Sequence, residues 1–175
     1  MRYRRSDVAG GTYFFTVNLQ NRNQTTLVDE IDLLRSVFLT TKAKHPFKID
    51  AMVVLPEHLH CIWTLPPDDS DFSIRWRVIK AAFSRGIAKL NPVNESQYRR
   101  RERGIWQRRY WEHLIRDDND FARHVDYIHF NPVKHGYANR ASDWPYSSIH
   151  RYIRSGDIDP DWGVSSDFVG KFGER

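Results

Sequence analysis

A chain of 175 residues, 40% hydrophobic and 14% aromatic, carries enough apolar material for one domain with its own core and is too short for several. Its 27 Lys and Arg against 22 Asp and Glu leave a net charge of +5, which favours a polyanionic partner without demanding one. The single cysteine, Cys61, excludes an internal disulfide, and no long uncharged apolar run reads as a signal peptide or membrane span, so a cytoplasmic setting is expected.

Tyr13, Phe15, Val17 and Leu19 alternate with Thr12, Phe14, Thr16 and Asn18, which predicts a first strand over 12–19. Leu27, Ile31, Leu34 and Phe38 then recur at helical spacing until His45-Pro46, because the residue before proline resists helical geometry. Phe47, Ile49, Ala51, Val53 and Leu55 alternate again, and after Pro56-Glu57 residues 58–65 supply the partner of a hairpin. Phe72, Trp76, Ile79, Phe83, Ile87 and Leu90 mark a second amphipathic helix. A polar, arginine-laden segment runs to about residue 105, a fourth strand is expected near 110–116, and a third helix from Asp117 to about His129. This order is the split β-α-β arrangement of ferredoxin-like α+β folds: a central antiparallel sheet with both crossover helices on one face. The third helix, which bears a tyrosine, is left to cover the other face. Residues 1–154 are expected to form the working domain. Residues 155–175, with Asp157, Asp159, Asp161 and Asp167 among Gly156, Pro160 and Gly163, read as a loose acidic tail able to fold over a basic groove.

Alternation on the third strand sends Leu59, Cys61, Trp63 and Leu65 toward the crossover helices and leaves His58 and His60 together on the opposite side. On the third helix Phe121, Val125 and Ile128 form the packing stripe, while Asp120, His124, Tyr127 and Asn131 follow one another a turn apart beside it. Two imidazoles on one side can hold a divalent ion. With no cysteine shell, exchangeable Mg²⁺ or Mn²⁺ fits better than zinc, with Asn131 as an oxygen ligand. Blander readings compete. Eight histidines make one such pair by chance unsurprising, Asn131-Pro132 is also the signature of a helix N-cap, and a phenol with a pKa near ~10 is a weak nucleophile unless something activates it. His124 and His129 flank Tyr127 as proton shuttles or as structural groups.

Basic and aromatic residues interleave through Tyr98, Arg99, Arg100, Arg101, Arg103, Trp106, Arg108, Arg109, Tyr110 and Trp111, a pattern suited to phosphates and unstacked bases or to a solvated loop entering a strand. Arg2, Arg4 and Arg5 form a basic arm, and Arg75, Arg77 and Lys80 a basic flank on the second helix.

GGTYFFTVNL, VVLPEHLHCIW, FSIRWRVIK, IWQRRYWEHLIRD and HVDYIHFNPVKHG followed by WPYSS together resemble the REP-associated tyrosine transposases, over roughly residues 2–162. They belong to the wider single-tyrosine group whose metal site is built on His-hydrophobe-His. The resemblance implies that Tyr127 is the nucleophile, that His58 and His60 hold a catalytic divalent cation, and that Asn131 is the third ligand. It further implies recognition of a hairpin in single-stranded REP-type DNA, cleavage through a 5′-phosphotyrosine link and no nucleotide cofactor. A monomer with its tyrosine helix in cis is expected ahead of a dimer that exchanges helices. A hairpin-binding protein without chemistry and a metal-dependent phosphoesterase that uses water are the other classes compatible with the residues. The basic stretch from Asn91 to Arg103 departs from the family pattern and bears on substrate choice.

Overall fold

The computed structural model describes residues 7–88 and 93–164. In chain order the elements are β1 (Thr12–Asn18), α1 (Thr26–Asp29), α2 (Ile31–Lys44), β2 (Lys48–Val54), β3 (His58–Thr64), α3 (Phe72–Gly86), α4 (Glu95–Arg99), β4 (Trp111–Leu114), α5 (Asp118–Lys134), a 3-10 turn (Ala141–Asp143) and α6 (Ile149–Ser155). The strands form one sheet in the order β2-β3-β1-β4, with every neighbouring pair antiparallel. This is the expected ferredoxin-like α+β architecture. No helix among the described residues is long and apolar enough to cross a membrane.

Strand alternation separates two cores. Tyr13, Phe15 and Val17 of β1 and Leu59, Cys61 and Trp63 of β3 pack against Leu34 and Phe38 of α2 and Phe72, Trp76, Ile79 and Phe83 of α3. At its centre Trp63 stacks on Trp76, with ring centroids 4.3 Å apart and planes 17° apart. On the other face Phe14, Ala51, Val53 and Ile62 meet Val125, Tyr127 and Ile128 of α5. The tyrosine helix therefore covers the histidine side of the sheet.

Three elements differ from expectation. The first helix breaks at Glu30 into α1 and α2, the first of which is anchored by Leu27 N donating to Pro56 O at 3.1 Å. The third helix does not stop near His129: Pro132 lies inside α5, where it is buried, and Asn131 is a helix-interior residue rather than an N-cap. The basic stretch contains α4, closed by a capping box between Asn94 and Gln97.

The Trp-Pro-Tyr-Ser-Ser segment protects the outer edge of β2. Val54 N donates to Tyr146 O (2.8 Å), Ser148 N to Met52 O (2.8 Å) and Met52 N to the Ser148 hydroxyl (2.9 Å), which satisfies an edge that would otherwise be open. Beyond it, Phe130, Val133, Ala141 and Ile149 form a satellite core against which Ile158 and Trp162 pack. Arg140 also pairs with Asp161 at 2.9 Å. The start of the expected loose tail is thus packed, because its two apolar side chains find a cleft beside α5; residues 165–175, including Asp167, lie outside the described residues.

Candidate active site

His58 and His60 project from β3 onto the α5 face, both buried, with ring centroids 4.9 Å apart. Each ring has its Nδ1 occupied. Glu57 Oε1 lies 2.8 Å from His58 Nδ1, and Thr16 Oγ1 lies 2.8 Å from His60 Nδ1 across the β1–β3 pair. Such outer partners fix ring orientation and leave Nε2 for a ligand. Burial works to raise the Glu57 carboxyl, but the His58 contact and the Tyr137 hydroxyl outweigh it and hold it at about 2, so it is a carboxylate at neutral pH.

α5 delivers the other two groups. Its N-terminus is capped by Asp117, whose carboxylate accepts from Asp120 N at 2.8 Å. Tyr127 is buried with its ring centroid 5.1 Å from that of His60. One turn on, Asn131 is fully buried, and neither Oδ1 nor Nδ2 has a hydrogen-bond partner among the described residues; His58 Nε2 is likewise buried without one. Lys134 Nζ lies 3.4 Å from the Tyr127 hydroxyl and 4.9 Å from the ring centroid. The helix ends in a Schellman turn, with Tyr137 N donating to Pro132 O (2.8 Å) and Gly136 N to Val133 O (3.0 Å). Gly136 has φ +74°, and this turn lets the Tyr137 hydroxyl donate to Glu57 Oε2 at 3.2 Å.

The fit of these residues to a divalent cation follows from the unsatisfied atoms. A buried amide with no partner costs about 1–3 kcal/mol, which is stabilised if its oxygen meets a cation. A second cluster stands between β4 and the first turns of α5: ligand atoms of His113, Asp120 and His124 all lie within 4.8 Å of one another and could hold a metal ion. Its carboxylate is already committed, however. Asp120 Oδ2 meets His113 Nε2 at 2.8 Å and Arg116 N at 3.1 Å, while Arg123 lies 3.5 Å from Oδ1. Burial acts to raise the Asp120 carboxyl, but the His113 ring, the Arg116 N–H and the nearby His124 hold it at about 2. A metal there must displace existing bonds, whereas beside His58 Nε2 and the Asn131 amide it would meet buried polar atoms that have no hydrogen-bond partner among the described residues.

The expected proton shuttles are placed otherwise. His129 is buried on the far side of α5, with Nε2 2.8 Å from the Ser148 hydroxyl and its ring against Tyr152 at 4.8 Å. It serves packing rather than Tyr127. His124 Nδ1 lies 2.7 Å from Asp120 O, and its ring sits 4.7 Å from Phe14 and 4.8 Å from His113. The basic residues also divide. Arg75 is 1% exposed, and its guanidinium donates to Asp69 (2.6 Å), Pro46 O (2.6 Å) and Asp71 O (2.7 Å), so it ties loops together and does not face a ligand. Lys80 Nζ donates to Gln107 O at 2.6 Å, and burial lowers its pKa to about 8. It holds the arginine segment to α3. Arg77, Arg108 and Arg109 remain exposed, Arg108 with Glu102 2.9 Å away, while Arg4 and Arg5 lie outside the described residues. Trp106 and Tyr110 pack into the helix-side core, which leaves Tyr98 and Trp111 as the exposed rings of that segment.

Glu57, Thr16, His113, Lys134 and Tyr137 were not singled out from sequence. Glu57 precedes the histidine pair and Thr16 shares its face of β1, but cross-strand register is needed to see what they touch.

Comparison with known proteins identifies the family. The sequence profile of the family described as "Transposase IS200 like" matches residues 8–131. A REP-associated tyrosine transposase of Escherichia coli (strain K12) is 48% identical over 99% of this chain and 96% of its own length. The solved structure of a REP-associated tyrosine transposase bound to a REP hairpin superposes with a TM-score of 0.82 at 46% identity, covering 100% of this chain and 98% of that one. The chain belongs to the REP-associated tyrosine transposases, within the IS200-like transposase family.

Proposed function

We propose that this transposase cuts and rejoins single-stranded DNA beside a REP-type hairpin, through a 5′-phosphotyrosine link at Tyr127. The observation that carries the reading is the placement of a buried phenol 5.1 Å, ring to ring, from His60, with the unsatisfied amide of Asn131 one turn further along the same helix. His58 and His60 through Nε2, and Asn131 through Oδ1, would hold Mg²⁺ or Mn²⁺. When bound, such an ion withdraws charge from the scissile phosphate and favours the phenolate.

The chain's own residues do the rest. The Tyr127 oxygen attacks phosphorus and the bond to the 3′ oxygen breaks, leaving a 3′-hydroxyl and a phosphotyrosine. A 3′-hydroxyl of another end reverses the step, so bond energy is conserved and no nucleotide cofactor is consumed. The Lys134 ammonium, 3.4 Å from the phenol, favours its ionised form. Glu57 and Thr16 keep both imidazoles aimed at the site. Exposed Arg77, Arg108 and Arg109 supply phosphate contacts, joined by Arg4 and Arg5. The hairpin held by the relative at 46% identity supports the choice of substrate. That Tyr127 meets histidines of its own chain supports a monomer acting with its helix in cis.

The test is incubation with labelled hairpin oligonucleotides and Mn²⁺, followed by denaturation. The wild type is expected to retain a covalent DNA adduct that Tyr127→Phe loses while still binding the hairpin. Cleavage by Tyr127→Phe without an adduct would replace the reading with a water-using phosphoesterase. Binding by the wild type without cleavage would replace it with a non-catalytic hairpin-binding protein.

A further inference from the structure

Thr16 pairs with His60 on one side and with Trp111 on the other, so His60, Thr16 and Trp111 form one row across the sheet. Strand spacing sets the distance along that row at about 10 Å. Trp111 stands at its open end, on the edge strand, 43% exposed. One part of the ring packs on Phe14 and His113, and the rest faces solvent beside the sheet edge.

Its surroundings hold it rigidly. The indole lies 3° from parallel to the His113 ring with centroids 5.8 Å apart, and His113 stacks in turn on His124 at 4.8 Å and 18°. Asp120 secures the base of this column through His113 Nε2 at 2.8 Å and, through its backbone oxygen, His124 Nδ1 at 2.7 Å. Phe14 links the column to the site: its ring lies 5.7 Å from Trp111, 5.6 Å from His60 and 6.0 Å from Tyr127. Exposed Arg109, Arg116 and Arg123 lie on the same two elements or just before them. An exposed indole braced from below, with exposed arginines close by in the chain and linked through Phe14 to the proposed phosphate-cutting site, has the features of a stacking platform for single-stranded nucleic acid.

We propose that Trp111 stacks an unpaired base of the single-stranded DNA flanking the scissile phosphate and so holds the strand in register with Tyr127. This rests on the strand-transfer reading above. The occupant is a base because stacking uses the face that every base presents, while the arginines take the adjoining phosphates. Trp111 is a positioning residue, and the His113–Asp120–His124 column is its support.

The test places a fluorescent base analogue, 2-aminopurine, at each position on either side of the cut in a hairpin oligonucleotide. Wild-type protein is expected to quench one position through stacking. Trp111→Ala and Trp111→Leu are expected to lose that quench and to form adduct about ten- to a hundredfold more slowly at limiting DNA, with affinity for a bare hairpin lacking the single-stranded flank unchanged. Trp111→Phe is expected to recover most of both signals, which a merely structural role would not produce. Trp111→Leu keeps apolar volume at the site, so lost quenching in a variant with an unaltered thermal midpoint reports on the ring itself. Persistent quenching in both variants, or undiminished adduct formation, overturns the proposal. A Trp111-dependent quench with no adduct from the wild type would uphold the platform and sink the chemistry at Tyr127.

Discussion

Asn131 shows most directly what a single residue contributes. A side-chain amide buried inside a helix with neither polar atom paired is a net cost to the fold, on the order of 1–3 kcal/mol. Replacing it with leucine, a residue of similar reach and no polar atoms, is expected to raise the thermal midpoint of the metal-free protein. The same variant should lose the further stabilisation that Mn²⁺ is expected to give the wild type, because a ligand that binds only the native state stabilises it by mass action. Thermal unfolding with and without Mn²⁺ checks both halves; a metal-induced shift surviving in Asn131→Leu would remove Asn131 from the ligand set. His58, His60, Tyr127 and Asn131 were legible in the sequence because alternation and one-turn spacing decide which side each takes before any contact is known. Arg75 and Lys80 were not. Their partners are the backbone oxygens of Pro46, Asp71 and Gln107 together with the Asp69 carboxylate, and helical spacing says nothing of where those loops return.

At the scale of the element, α5 joins an N-cap, the proposed nucleophile Tyr127, the proposed ligand Asn131 and a left-handed exit in one segment. Asn131-Pro132 misled the reading of its end because the pair resembles a helix start. Continuation through Pro132 forfeits a backbone bond, a loss offset by burial of the apolar Pro132 and Val133. The true end is set four residues beyond the proline by Gly136. No atom lies within 4 Å of where its Cβ would be, so Gly136→Ala meets no clash and only the backbone conformation resists it. The expected cost is about 1–2 kcal/mol in urea unfolding. Mn²⁺ affinity should weaken as well, since the turn positions Tyr137 on Glu57; unchanged affinity would show that this contact does not tune the metal site.

Across the whole molecule, the element order was enough to place the sheet and its two helical layers, since six elements in that sequence have few compact arrangements. The region after α5 was less legible. The Tyr-Ser-Ser strip that seals β2 and the satellite core around Phe130 use single bridges and scattered apolar residues, which leave no period to read. His129 joins these parts, and burial, reinforced by Arg151 and His150, lowers its pKa from 6.5 to about 3. The native ring stays neutral where the unfolded ring would take up a proton. Stability is therefore complete above 6.5 and declines as pH falls toward 3, by as much as about 1.4 kcal/mol per pH unit. His124, also lowered chiefly by burial, acts in the same direction. Glu57 and Asp120, both held at about 2, lose their contributions only below their ordinary values of 4.5 and 3.8. Urea midpoints measured between 6.5 and 4.5 should thus fall in the wild type and flatten in His129→Gln; parallel slopes would assign the acid sensitivity elsewhere.

The bond between Tyr137 and Glu57 has a mechanical consequence when taken with the one between Asp120 and His113. One latch fastens the front of α5 to the edge strand, and the other fastens its rear to the turn before the paired imidazoles. Lending that rod to a sister subunit would mean unhooking both at once.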